Sequence, residues 1–265
     1  MIKGNYEVEL NDDVQEKELY QLMNSFKGMT TRLEQLETLR TQLLAGVTHE
    51  LKTPITSVSA LVQAVKDDIV KGEKQKEFLQ MALKESQRLQ SMVEDLISFN
   101  TFSTGSVKVA MENINVTRVI KEIVYQWEIV HLSQTNHVTL KFITNQDSIL
   151  TVADPLRTQQ ILVNLLNNSL HAVKGKTDGE ITVSIYQDNH WVSIEVADNG
   201  YGISVDEQPN VFERFYRGKN KKHVERGLGL GLPYSLLLAK AQGGNLSLKE
   251  SSENGTTFLL QLPKR

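Results

Sequence analysis

From Leu19 the apolar residues recur in alternating steps of three and four, at Leu19, Leu22, Phe26, Met29, Leu33, Leu36, Leu43 and Val47, with Arg40 at the intervening position. This is the heptad seam of a coiled coil, and such a seam cannot be buried by its own helix. The residues before Leu19 are too few to supply a covering surface, so the expected partner is the same helix of a second copy, in a parallel homodimer. Beyond Val47 the seam resumes at Leu51, Ile55, Val58, Val62, Val65 and Ile69, displaced by one residue. A slip of this kind locally unwinds or overwinds a coil, and here it falls at His49. Pro54 removes the amide that would bond to the Glu50 carbonyl, so a bend is expected nearby. The apolar spacing runs on through Pro54, which favours one helix over two.

Asp67 to Lys76 reads as a polar turn, followed by a second helix from about Gln75 to Phe99. Its stripe is Phe78, Ala82, Leu89, Met92, Leu96 and Phe99, interrupted by Glu85. Two such helices make an antiparallel hairpin, and two hairpins paired through the seam make a four-helix bundle with His49 on its outer surface. Thr101 to Val107 is linker-like in composition, with Ser103, Thr104, Gly105 and Ser106. The periodicity then changes. Val116–Gln134, Leu156–Val173 and Pro233–Gln242 are helical in pattern, while Val138–Ile143, Ile149–Ala153, Ile181–Tyr186, Val192–Ala197, Leu246–Lys249 and Thr256–Leu262 are strand-like. Gln187 to His190 reads as a hairpin connection. This order predicts an α/β sandwich with helices on one face of a mixed sheet.

A length of 265 residues suits about two domains. Charged residues make up 23% and the net charge is only -3, so there is no basic field of the kind that nucleic acid as a main partner would require. The absence of cysteine excludes disulfides, thiolate chemistry and cysteine-ligated metals. No run approaches the ~18 to 20 apolar residues needed to span a bilayer, and Met1 to Asp13 is too polar for a signal peptide.

Reactive residue types cluster in Thr48-His49-Glu50-Leu51-Lys52-Thr53-Pro54. On a helix His49 and Thr53 share a face at i and i+4, with Glu50 beside them, so a nucleophile, a carboxylate and a hydroxyl lie on one small surface. Downstream, Asn164 and Asn168 share a helix face; amide oxygens can ligate Mg²⁺ and amide NH₂ groups can donate to phosphate, although polar helix faces often carry asparagine. Asp198-Asn199-Gly200-Tyr201-Gly202 leaves the end of a strand, where a carboxylate can accept from the exocyclic amine of adenine and Gly200 and Gly202 let backbone come close. Taken alone, the better reading of that stretch is a tight turn with an Asx cap. Gly227, Gly229 and Gly231 stand just ahead of a helix and offer bare amides to phosphates, without the ending of a P-loop or the preceding strand of a dinucleotide fold. Between the glycine stretches, Phe212 to Arg217 and a basic run to His223 have the polarity of a lid over a nucleotide. Arg214, Arg217 and Lys219 are candidates for phosphate contact, whereas Lys221 and Lys222 read equally well as a solvated loop.

Taken in order, His49 to Pro54, the Asn164/Asn168 pair, Asp198 to Gly202, Phe212 to Arg217 and Gly227 to Gly231 resemble the H, N, G1, F and G2 boxes of sensor histidine kinases. Asp12–Leu33 is similar to the closing helix of a HAMP signal-relay module. The resemblance implies a division into 1–40, a HAMP-like end and signalling helix, 41–102, a dimerisation and phosphotransfer hairpin, and 108–265, a Bergerat-type ATP-binding domain. It implies that His49 is the phosphoacceptor, Glu50 its acid/base neighbour and Thr53 a participant in dephosphorylation of the partner. It further implies ATP and Mg²⁺ as cofactors, with Asn164 as metal ligand, Asn168 near the phosphates and Asp198 on adenine. The implied partner is a response regulator receiver domain with an acceptor aspartate. The chain would then be the cytoplasmic portion of a membrane receptor, touching the membrane only through segments preceding Met1.

Two positions depart from the family pattern. Ser169 stands where alanine is usual, and His171 where a lysine often contacts phosphate, which bears on nucleotide affinity. Two other classes are weighed against this reading. A nucleotide-gated dimeric scaffold is disfavoured by the intact Asp198, Asn164 and glycines, and an ATPase or serine kinase by the His49-Glu50 pair on a coiled coil.

Overall fold

The computed structural model describes residues 17–103, 109–131, 137–218 and 228–264, and the chain divides into two compact units, Met1–Leu89 and Gln90–Arg265. The first unit holds helix α1, Lys17–Lys66, and helix α2, Glu73–Ser103, as far as Leu89. α1 continues through Pro54 as one helix of 50 residues, so the proline does not break it into two. Between α1 and α2 the chain turns through Asp68 and Gly72, at φ 56° and 64°, conformations that aspartate tolerates and glycine adopts freely. Leu22, Phe26, Met29, Ile55, Val62 and Ile69, all seam positions, are each at least 46% exposed in the single chain. These six seam residues are therefore uncovered within one copy.

α2 begins before Gln75 and runs on through Ser103, so the linker expected from Thr101 is shorter at its start. Thr and Ser cost only about half a kcal/mol each in a helix relative to Ala, too little to end one, and the first strong breaker is Gly105.

The second unit is built on a five-stranded sheet in the order β2-β4-β5-β7-β6, from strands β2 Val138–Thr144, β4 Gly179–Gln187, β5 Trp191–Asp198, β6 Asn245–Ser252 and β7 Gly255–Pro263. β2 and β4 pair in parallel, which the helical crossover between them permits, and the remaining pairs are antiparallel. A small second sheet pairs β1, Glu112–Asn115, with β3, Leu150–Ala153. The sequence pattern did not reveal β1, because Glu-Asn-Ile-Asn carries one apolar residue and no alternation to read.

Helices α3 Val116–His131, α4 Pro155–Ala172 and α5 Gly231–Ala241 share one buried cluster with the sheet. Every second residue of the central strands enters it: Ile181, Val183 and Ile185 from β4, Val192, Ile194 and Val196 from β5, and Phe258, Leu260 and Leu262 from β7. The helices contribute Ile120, Ile123, Ile161, Leu162, Leu165, Leu166 and Leu238. Residues of opposite parity carry ion pairs instead, Lys141 with Glu180 and Lys249 with Glu195, both at 2.6 Å. The strand alternation thus separates an apolar face from a polar one.

The start of α4 is fixed with care. Asp154 caps it, accepting from the Arg157 amide at 3.1 Å, and Pro155 occupies the first turn where its missing N–H costs nothing. The same carboxylate accepts the Ala110 amide at 2.9 Å, and the buried Gln242 side chain accepts the Asp154 amide at 2.9 Å. Residues distant in sequence therefore converge on the N-terminus of the helix.

Truncating a central core residue tests this account. Ile194→Ala, at a fully buried position, is expected to lower the stability of the second unit by about 2–5 kcal/mol, read as a shifted urea midpoint in the fluorescence of Trp127 and Trp191 in the full chain.

Candidate functional site

α4 presents three consecutive roles along one helix. Leu165 and Leu166 are fully buried in the core, while Asn164, Asn168 and His171 are half-buried at i, i+4 and i+7 spacing. Asn167, between the two candidate asparagines, serves the core: its Oδ1 accepts the Trp127 indole N–H at 2.8 Å, and the indole stacks on His131 at 4.7 Å. Asn164 donates from Nδ2 to Ser235 Oγ at 2.9 Å. A side chain on Gly231 would sit 2.4 Å from Asn164 Oδ1, so the glycine keeps the first turn of α5 against this amide. Ser235 was not singled out from the sequence, since only the approach of α5 to α4 gives it a partner.

Asp198 closes β5, in register with Ile181 of β4 and Thr256 of β7. Its Oδ1 accepts the Gly200 amide at 2.8 Å and its Oδ2 accepts the Ser169 hydroxyl at 3.1 Å. Burial raises the pKa of this carboxyl, opposed by hydrogen bonds from the Gly200 amide, Ser169 and the Thr256 amide and by the charge of Lys176. The neighbouring Asn199 is structural: it accepts the Glu180 amide and donates to the Asp178 carbonyl, both at 2.8 Å, while Lys176 donates to its carbonyl.

The glycines work by absence. A Cβ on Gly200 would lie 2.5 Å from Ala172 Cβ, and one on Gly202, at φ 68°, would lie 1.7 Å from the Ser252 carbonyl oxygen. The loop after Asp198 thereby passes directly over the end of α4, where the Tyr201 amide donates to the Ala172 carbonyl at 3.3 Å.

Phe212 packs edge-on against Phe258 with centroids 6.3 Å apart, seating the segment that carries Arg214 and Arg217 on the core. The Phe215 amide donates to the Gly229 carbonyl at 3.1 Å, and Gly229, at φ 67°, lies where a Cβ would be 2.6 Å from the Tyr216 carbonyl oxygen. These contacts tie residues 212–216 to residues 228–230. Leu228 and Leu230 are buried, so the alternation of glycine and leucine anchors the stretch at every second residue. Lys219 and Gly227 lie outside the described residues.

In the other unit, His49, Glu50 and Thr53 belong to the continuous helix α1. Thr53 is exposed and Pro54 buried; the side chains of His49 and Glu50 lie outside the described residues. The helix here tolerates the missing proline amide, and Thr56 returns its hydroxyl to the Lys52 carbonyl at 2.9 Å.

Residues 39–105 match the model of the His Kinase A (phospho-acceptor) domain, and residues 153–265 match that of the histidine kinase-, DNA gyrase B- and HSP90-like ATPases. The chain belongs to the sensor histidine kinases. Histidine protein kinase SaeS of Staphylococcus aureus is 28% identical over 272 residues, covering 98% of this chain and 76% of SaeS. Among solved structures, histidine kinase ThkA, crystallised in complex with response regulator protein TrrA, superposes with a TM-score of 0.70 at 23% identity, over 96% of this chain and 68% of that one. The histidine kinase AdeS of Acinetobacter baumannii gives 0.65 at 20% identity, over 82% and 98%. The fold of this kinase is accordingly a helical phosphotransfer region followed by a Bergerat-type α/β ATP-binding sandwich. No described helix is long and apolar enough to cross a membrane.

The contact at Gly202 gives a sharp expectation. Gly202→Ala combines a left-handed backbone with a clash against a backbone carbonyl, so it is expected to destabilise the ATP-binding unit by about 2 kcal/mol or more and to abolish the thermal stabilisation that nucleotide gives the wild type, both read from melting curves with and without ATP.

Proposed function

We propose that this kinase phosphorylates His49 from ATP bound over Asp198 and passes the phosphoryl group to an aspartate of a response regulator receiver domain. The observation that carries this reading is the convergence on one half-buried carboxylate, Asp198, of α4, β5 and the glycine loop, beside a helix face bearing Asn164 and Asn168. Asp198 accepts from the exocyclic amine of adenine, Gly200 and Gly202 bring backbone against the base, and Asn168 and His171, on the face of α4 that carries Asn164, are assigned to the phosphates. Arg214, Arg217 and Lys219 neutralise phosphate charge, and Gly227, Gly229 and Gly231 supply bare amides there.

The residues also fit Mg²⁺. Among the described residues no cluster of three or more histidines or carboxylates exists to cage an ion, but Asn164 directs its Nδ2 to Ser235, leaving Oδ1 as a neutral oxygen ligand. A single protein ligand suits an ion that keeps most of its shell from phosphate and water. When bound, Mg²⁺ supplies charge neutralisation on the triphosphate.

The neutral imidazole of His49 has a lone pair for the γ-phosphorus. The new N–P bond forms as the bond from that phosphorus to the β,γ-bridging oxygen breaks, and Glu50 takes the proton from the other ring nitrogen or holds the reactive tautomer. Thr53, one helical turn from His49 and exposed, orients a water that attacks the aspartyl phosphate of the regulator, breaking its P–O bond and releasing inorganic phosphate. The exposed seam of α1 is covered by the same face of a second copy, giving a homodimeric four-helix bundle. In this reading residues 1–40 relay a signal, 41–102 dimerise and transfer phosphate, and 108–265 bind ATP, all on the cytoplasmic side of a membrane receptor.

Two measurements test the proposal. Incubation with Mg²⁺ and γ-labelled ATP is expected to give acid-labile, alkali-stable label in the wild type and none in His49→Gln; bound ATP without label would instead indicate a nucleotide-gated scaffold. Thr53→Ala is expected to keep autophosphorylation while slowing dephosphorylation of a phospho-regulator roughly tenfold or more, and equal rates in both proteins would remove the phosphatase role.

A further inference from the structure

Ser169 occupies the position where the family resemblance calls for alanine, and it is 1% exposed. A buried hydroxyl needs a partner, and here the partner is the nucleobase carboxylate itself: Ser169 Oγ donates to Asp198 Oδ2 at 3.1 Å. Resting on the reading of Asp198 as the adenine acceptor, we propose that Ser169 is a positioning residue for purine recognition, holding Asp198 as an acceptor for a 6-amino purine and so setting discrimination against a 6-oxo purine.

The geometry supplies the reason. Asp198 Oδ1 is engaged by the Gly200 amide at 2.8 Å, from its own loop. Oδ2 is held from the opposite side by α4, so the carboxylate is clamped between elements and cannot rotate without losing a charge-assisted hydrogen bond. An ionised carboxylate only accepts, which matches an exocyclic amine; once protonated it also presents a donor, which suits a carbonyl instead. Burial pushes the Asp198 pKa upward, and the Ser169 hydroxyl acts against it, together with the Gly200 and Thr256 amides and Lys176. Among the described residues the titratable groups bearing on Asp198 are Lys176, from the α4–β4 connection, and Tyr201, from its own loop, whose phenol is held up first by burial and then by the charge of Asp198. The α4 and β7 sides contribute Ser169 and Thr256, which carry no charge near neutral pH.

Removing a donor to the ionised form raises the Asp198 pKa, so affinity for an adenine nucleotide, which needs that form, is lost at higher pH as pH falls. Calorimetric titration of the full chain with the β,γ-imido analogue of ATP, at pH 6 and pH 8.5, compares wild type, Ser169→Ala and Asp198→Asn. Titration of the ligand phosphates is common to all three and cancels in the ratios. Ser169→Ala is expected to bind more weakly than wild type by a factor that grows as pH falls, within about twofold at pH 8.5, larger at pH 6 and bounded by the roughly tenfold of one lost charge-assisted hydrogen bond. The corresponding guanine analogue should gain on the adenine one in this variant at pH 6. A Ser169→Ala to wild-type ratio that is the same at both pH values would overturn the proposal, whether it is near one or a constant loss from altered packing. Asp198→Asn separates the underlying reading: wild-type affinity in that variant would remove Asp198 from the site, and the proposal with it, whereas weak binding at both pH values leaves the behaviour of Ser169→Ala to decide.

Discussion

The site of this kinase depends on the packing of α4 against the sheet. Ile161, Leu162, Leu165 and Leu166 are fully buried, which fixes the rotation of the helix about its axis, and that rotation brings Asn164, Asn168 and His171 to the half-buried face. Asn167 tightens the arrangement from the core side by accepting the Trp127 indole, a bond whose loss would leave a buried donor unpaired. The helix is fixed along its length as well, because Asp154, Gln242 and Ala110 meet at its first turn. Apolar burial therefore supplies the adhesion, and a few buried polar contacts choose among the positions that burial alone would allow.

Around this helix the functional loops are set by how closely backbone can approach backbone. Gly200 lies against Ala172, Gly202 against Ser252, Gly229 against Tyr216 and Gly231 against Asn164, each at a distance that a Cβ would violate. The glycines thus act as spacers between protein segments. Asp198 pays the usual electrostatic penalty of such a cleft, with its carboxyl pushed toward the neutral form by burial and drawn back by donors from three different stretches of chain.

The phosphoacceptor unit follows a different logic. Its second seam places Ile55, Val62 and Ile69 on the surface of a single copy, an arrangement stable in water only when a partner covers it. The helix nevertheless persists through Pro54, because neighbouring turns keep their own hydrogen bonds and the proline is itself buried.

Much of this was legible from residues alone. The heptad spacing marked α1, the alternation of Ile181 to Tyr186 and Val192 to Ala197 marked two central strands, and the ordered motifs marked the family, since each is a local pattern that needs no knowledge of distant neighbours. Short elements with little apolar contrast escaped: β1 exists because β3 pairs with it, and the end of α2 outlasted a Ser/Thr-rich stretch whose helix penalty is small. The partners of the site residues escaped for a stronger reason. That Ser169 meets Asp198, Ser235 meets Asn164 and Trp127 meets Asn167 depends on side chains 29, 71 and 40 residues apart. The sequence by itself determined the strongly periodic elements and which residue types are available for phosphoryl transfer, because periodicity and motif are properties of neighbouring positions. Only the tertiary structure decided which asparagine serves the core and which the cleft, and how the Asp198 carboxylate is held, because those depend on what each side chain meets when the helices close over the sheet.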